Sequence, residues 1–165
     1  MGRRRGFTLI EVMVVVAVVS IVGSLAVMGF VRWQRNGAVR EAGVTMVGDL
    51  RELRALAQSG RTDFAGFGPG VRVEQAGLRR VGANTYEIFV DRDEVSDGNE
   101  LTLRTVELPI HGVPIEVVWP VPELRFDRSG LLATGTEQRF TVRDTQLSRS
   151  VTVLVSLGGK SELLR

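Results

Sequence analysis

Cysteine is absent from the 165 residues, which excludes a disulfide framework and any thiolate-ligated metal centre. Histidine occurs once, as His111, in a stretch bounded by Pro109 and Pro114. A lone loop histidine is more often structural or exposed than one half of a nucleophile–base pair, which also needs a partner held in place. No phosphate-cradling glycine motif, zinc-ligand spacing or distinctive pair of acids is present, so the chain is not expected to be an enzyme. Lysine is nearly absent too. Arginine supplies all of the 21 basic residues except Lys160, and the formal net charge is only +2. Without Arg3, Arg4 and Arg5 the remaining 18 basic and 19 acidic side chains sum to −1, so net charge gives no argument for a polyanionic partner.

What the chain has is concentrated at its start. Arg3-Arg4-Arg5 is followed by Gly6-Phe7-Thr8-Leu9-Ile10-Glu11-Val12 and by an apolar run that reaches Val31. Glu11 is the sole charge in that run, which is long enough to cross a bilayer as a helix of about 20 residues. A carboxylate inside a membrane segment costs at least about 2.5 kcal/mol, so its presence is a functional signal. The three arginines favour a cytoplasmic N-terminus and send the chain beyond Arg32 outward. A cleavable secretory signal also has a basic n-region, but this run is longer than its usual apolar core and lacks a clear polar cleavage region.

The segment Gly6-Phe7-Thr8-Leu9-Ile10-Glu11 resembles the leader and methylation motif of type IV pilins and type II secretion pseudopilins. That resemblance implies cleavage between Gly6 and Phe7 by a membrane prepilin peptidase, and methylation of the new N-terminus at Phe7. It also implies that Glu11 meets the terminal amine of a neighbouring subunit during assembly. The location implied is the inner membrane, with a single span and the C-terminal part periplasmic, and then a pilus or pseudopilus. A buried carboxylate stays ionised only with an opposite charge within about 4–6 Å, which such an amine would supply. Buried ion pairs are better attested as specifiers of register than as sources of net stability. An ordinary signal anchor with a stray acid explains neither the Gly-Phe junction nor the position of Glu11. Many major pilins carry proline where this chain has Met28, so the helix melting linked to that proline is not implied here.

Beyond Trp33, a suitable interfacial anchor, apolar residues recur at Val39, Ala42, Met46, Leu50, Leu53 and Ala57. Steps of three and four place them on one helix face, with Arg40, Glu41, Asp49, Arg51 and Glu52 on the remaining surface. A helix from Phe7 to Gln58 would be roughly 78 Å long. Gly23, Gly29, Gly37, Gly43 and Gly48 are either bends or points of close packing. Ser59-Gly60 ends the helix. The period then changes to two, predicting strands at Val71–Glu74, Thr85–Val90, Leu101–Arg104, Ile115–Trp119, Leu124–Phe126, Arg139–Val142 and Val151–Val155. The expected fold is α+β and pilin-like. A long N-terminal helix, transmembrane in its first half, packs on a C-terminal antiparallel β-sheet domain. The corresponding boundaries are 1–6 for the leader, 7–31 for the transmembrane and assembly half, 32–60 for the amphipathic half and 61–165 for the β-rich domain.

Leu124-Arg125-Phe126-Asp127-Arg128-Ser129-Gly130 is similar to the strand and turn typical of the H-type minor pseudopilin and its type IV pilus relative, the GspH/FimT family. Ile88–Asp93, closing at Asp97–Glu100, resembles the acidic hairpin loop of the same family. Asp91, Asp93, Asp97 and Glu100 in that loop are candidate calcium ligands, although their spacing is not that of an EF-hand, and acidic turns also arise because Asp, Asn and Gly favour turns. The family also includes a DNA-binding member with a C-terminal motif resembling Gly-Arg-x-Arg. Here Lys160 and Arg165 stand in its place with Glu162 between them, short of the several cations on one face that phosphate binding needs. The function expected is therefore a minor pilin or pseudopilin that assembles through its N-terminal helix. A DNA-uptake receptor is the alternative.

Overall fold

The computed structural model describes residues 8–62, 70–93, 99–108 and 112–164. One helix, α1 (Leu9–Ser59), precedes eight strands: β1 (Gln75–Arg80), β2 (Thr85–Asp91), β3 (Leu101–Glu107), β4 (Ile115–Val118), β5 (Glu123–Phe126), β6 (Gln138–Asp144), β7 (Ser150–Val155) and β8 (Ser161–Leu164). The chain divides into two units, residues 1–36 and 37–165.

In the first unit the helix is apolar on all sides as far as Val31. Every residue from Leu9 to Asn36 is exposed except Arg35, which is half-buried. Valine crowds this stretch despite its modest helix propensity, and its two serines are satisfied locally. The Ser20 and Ser24 hydroxyls donate to the carbonyls of Val16 and Ser20, each at 2.8 Å. Phe30 and Trp33 touch one turn apart, with ring centroids at 6.0 Å.

In the second unit the helix becomes one-sided. Val39, Ala42, Met46, Leu50, Leu53 and Ala57 are all buried, as their spacing predicts, and join one core with residues from every strand except β3 and β8. Asp49, expected on the surface, is also buried. The helix ends at Ser59, and Gly60 takes the left-handed conformation of a C-terminal cap (φ 56°).

The strands form two antiparallel sheets rather than one, in the orders β3-β2-β1-β5 and β4-β6-β7-β8. Trp119 follows β4 and bridges them, packing edge-on against Phe140 (5.2 Å) and Tyr86 (5.9 Å). Two expectations are corrected. Val71–Glu74 is no strand; Val73 N–H and Glu74 N–H donate to the Arg61 and Asp91 carbonyls, and the strand begins at Gln75. The tail contains β8, which pairs with β7 and lies against the helix. There Leu163 and Val151 would stand 2.7 and 2.9 Å from a Cβ on Gly43, so Gly43 is a point of close packing.

Candidate functional site

The start of α1 is held by a reciprocal pair. Thr8 N–H and its hydroxyl donate to Glu11 Oε2 at 2.8 and 2.9 Å, and Glu11 N–H donates to Thr8 Oγ1 at 3.3 Å. This is a capping box, in which Thr8 at the N-cap and Glu11 three residues on satisfy each other's free amides. Thr-x-x-Glu before an apolar run is its sequence signature. Gly6 and Phe7, the predicted cleavage pair, lie outside the described residues.

In the second unit, Asp49 projects from the helix into the first sheet. Tyr86 on β2 donates its hydroxyl to Asp49 Oδ2 at 2.5 Å, and Arg104 on β3 donates to Asp49 Oδ1 and to Glu52 Oε2, the latter at 3.0 Å. Burial raises the Tyr86 phenol far above its ordinary value, and the Asp49 carboxylate adds to that shift. The cluster fastens the edge strand β3 to the helix.

The sequence-predicted acidic loop is organised by an arginine that the metal reading overlooks. Arg125 on β5 donates Nη1 to Asp91 Oδ2 (2.5 Å) and Gln75 Oε1 (3.2 Å), Nη2 to Glu100 Oε1 (2.7 Å), and Nε to Glu123. Asp91, buried, and Glu100, half-buried with its side chain covered, thus meet on one guanidinium. Asp93 uses its amide on Asp91 Oδ1, while Asp97 lies outside the described residues. Among the described residues no group of three or more His, Cys, Asp or Glu side chains is arranged to hold a metal ion. Beyond β5 the chain turns at Asp127, whose Oδ1 accepts from Ser129 N, Ser129 Oγ and Leu131 N at 2.6–2.9 Å. Partial burial pushes the Asp127 carboxyl up, but these donors outweigh it and hold it below the usual carboxylate range. Gln58 on the helix donates to the Ser129 carbonyl at 3.0 Å, seating this turn on the end of α1.

In the tail, Lys160 occupies the turn before β8 and pairs with Glu162, while Arg165 lies outside the described residues. His111 does too.

Two crystal structures of the Pseudomonas aeruginosa type IV minor pilin FimU share this architecture. One aligns with a TM-score of 0.60 at 15% identity over 81% of this chain and 92% of that one; the other, in a second crystal form, with a TM-score of 0.55 at 16% identity over 76% and 92%. The fold is therefore that of pilin-like subunits, a long apolar N-terminal helix packed on antiparallel sheets. Residues 1–27 match the prokaryotic N-terminal methylation motif, and residues 31–159 match the family described as type II transport protein GspH. The chain belongs to the GspH family, whose pilin-like members are structural subunits rather than enzymes. No curated protein sequence matches it significantly.

Proposed function

We propose that the chain is a minor pilin or pseudopilin of the inner membrane. Residues 1–6 form a leader removed by prepilin peptidase between Gly6 and Phe7, and the new N-terminus is methylated at Phe7. Residues 7–31 span the membrane and then pack among the helices of other pilin-like subunits. Residues 32–60 carry the amphipathic half of the helix, and 61–165 form the periplasmic domain. The observation that carries this reading is the apolar, exposed surface on every side from Leu9 to Val31, in which Glu11 is the sole charge. A helix apolar all round belongs in lipid or a packed core, and the serine hydroxyls within it are already satisfied by backbone carbonyls, as lipid requires.

Glu11 has two possible duties, capping its own helix and pairing with the N-terminal amine of a neighbour, and they separate experimentally. Glu11→Gln keeps a side chain able to complete a capping box but removes the charge. If pairing sets the register, Glu11→Gln and Glu11→Ala both insert in the membrane and both fail to enter filaments with other pilins. If Glu11→Gln assembles like the wild type while Glu11→Ala does not, the acid is only a cap and the pairing role is wrong.

A further inference from the structure

Phe89 is wholly buried although it points away from the main core. It lies across Gly77 on the neighbouring strand, where an added Cβ would stand 2.6 Å from the ring edge. Above the ring sit two guanidinium groups, Arg125 at 5.0 Å and Arg79 at 5.6 Å from its centre. The outer face of the first sheet therefore carries a small core of its own, an aromatic ring roofed by arginine. Both roofing residues are pinned by acids. Arg79 reaches Glu87 at 2.9 Å and Glu100 at 3.8 Å, and Arg125 reaches Asp91, Glu100 and Glu123.

Asp91 closes β2 and Glu100 immediately precedes β3, so the connection between those strands begins and ends on the same guanidinium. We propose that Arg125 is the positioning residue that clamps both ends of the 92–100 connection, and that it does so in place of a divalent cation. Two features fit a guanidinium and not a point ion. Nε, Nη1 and Nη2 each meet a different carboxylate, a planar fork that only arginine offers. The ring of Phe89 provides a face for a delocalised cation, where calcium would require six to eight oxygens.

The test uses the full chain in detergent micelles and a protease specific for arginine. It compares cleavage after Arg92, at the start of the connection, with cleavage after the exposed Arg149 as an internal reference. In the wild type, Arg92 is cut slowly, and neither calcium nor a chelator changes that rate or the melting temperature. Arg125→Lys keeps one charge but loses the fork, so cleavage after Arg92 accelerates about tenfold or more. Cleavage after Arg149 is unchanged, and calcium restores nothing. Glu100→Gln releases only one end and is read the same way with a smaller acceleration, which keeps the clamp testable should Arg125→Lys not fold. A calcium or chelator response in the wild type, rescue of Arg125→Lys by calcium, or wild-type cleavage after Arg92 in both variants would overturn the assignment.

Discussion

From Leu9 to Gly37, α1 displays Val, Leu, Ile and Met on every face and buries none of them. From Ala38 to Ala57 the same helix buries one stripe and turns charge to the other side. One backbone geometry thus carries two kinds of surface. The second half folds against its own chain, so its pattern has the 3.6-residue period of a helix with a wet and a dry side. The first half shows no such period, the pattern expected of a helix that meets lipid or other apolar helices on every side. The two halves should therefore respond differently to the same mutation. Leu50→Ala, in the buried stripe, is expected to cost about 2–5 kcal/mol in thermal or denaturant unfolding of the full chain in micelles. Leu25→Ala removes as many atoms from an exposed side chain outside the core, and should leave that transition where it was. Equal losses at both positions would erase the distinction.

The two halves also differ in how they satisfy an acid. Glu11 is answered locally, by Thr8 three residues away, whereas Asp49 is answered by Tyr86 and Arg104 on separate strands. Asp49→Ala strands a buried phenol and unhooks a guanidinium, and is expected to cost about 1–3 kcal/mol. Tyr86 is the only tyrosine, so phenolate absorbance reports this cluster alone. Its folded pKa lies above the ordinary value of 10.0, so the stabilisation is complete below pH 10 and is lost as the pH rises past that toward the folded value. A titration should therefore show no phenolate near pH 10 while the chain is folded, and ionisation should coincide with alkaline unfolding. Ionisation near 10 in the folded chain would mean that Tyr86 is neither buried nor bound to Asp49.

These contrasts explain what could be read from the residues in advance. The stripe from Val39 to Ala57 was legible because a helix packing on its own sheet must repeat every three or four residues. Most strands were legible from alternation; β6 keeps it fully, burying Gln138, Phe140, Val142 and Asp144 in turn. β1 was not. Its first four residues are all buried, since Ala76 and Leu78 face the helix while Gln75 and Gly77 lie beneath Arg125 and Phe89, and a strand covered on both sides shows no period of two. β8 is four residues long, in a tail whose lysine and glycines drew attention to phosphate binding instead. The Thr8–Glu11 box was visible, but the rarity of an acid in an apolar run overshadowed its ordinary capping spacing. Asp49 looked like surface because its partners lie 37 and 55 positions away. Arg125 was hidden for the same reason. Asp91 and Glu100 read as metal ligands until β5 was seen to place a cation between them.

The glycines of α1 offer the finest comparison of its two halves, because the same substitution should have three different consequences. At Gly48 nothing lies within 4 Å of an added Cβ, so Gly48→Ala should gain the ordinary helix preference, about 0.5–1 kcal/mol. At Gly43 the new methyl meets Leu163 and Val151 at 2.7 and 2.9 Å. Both are side-chain ends at the β7–β8 edge, so they can shift at a cost that cancels or exceeds that gain, and Gly43→Ala should leave unfolding unchanged or weaken it by up to about 1 kcal/mol. Gly23 is as open as Gly48 within the chain, so Gly23→Ala should not weaken unfolding either. Yet small residues let apolar helices approach closely. If the first half packs against neighbouring subunits as proposed, Gly23→Ala should lower incorporation into filaments while Gly48→Ala does not. Undiminished incorporation of Gly23→Ala would mean that no helix comes close at that turn, and the uniformly apolar half would then meet lipid there rather than protein.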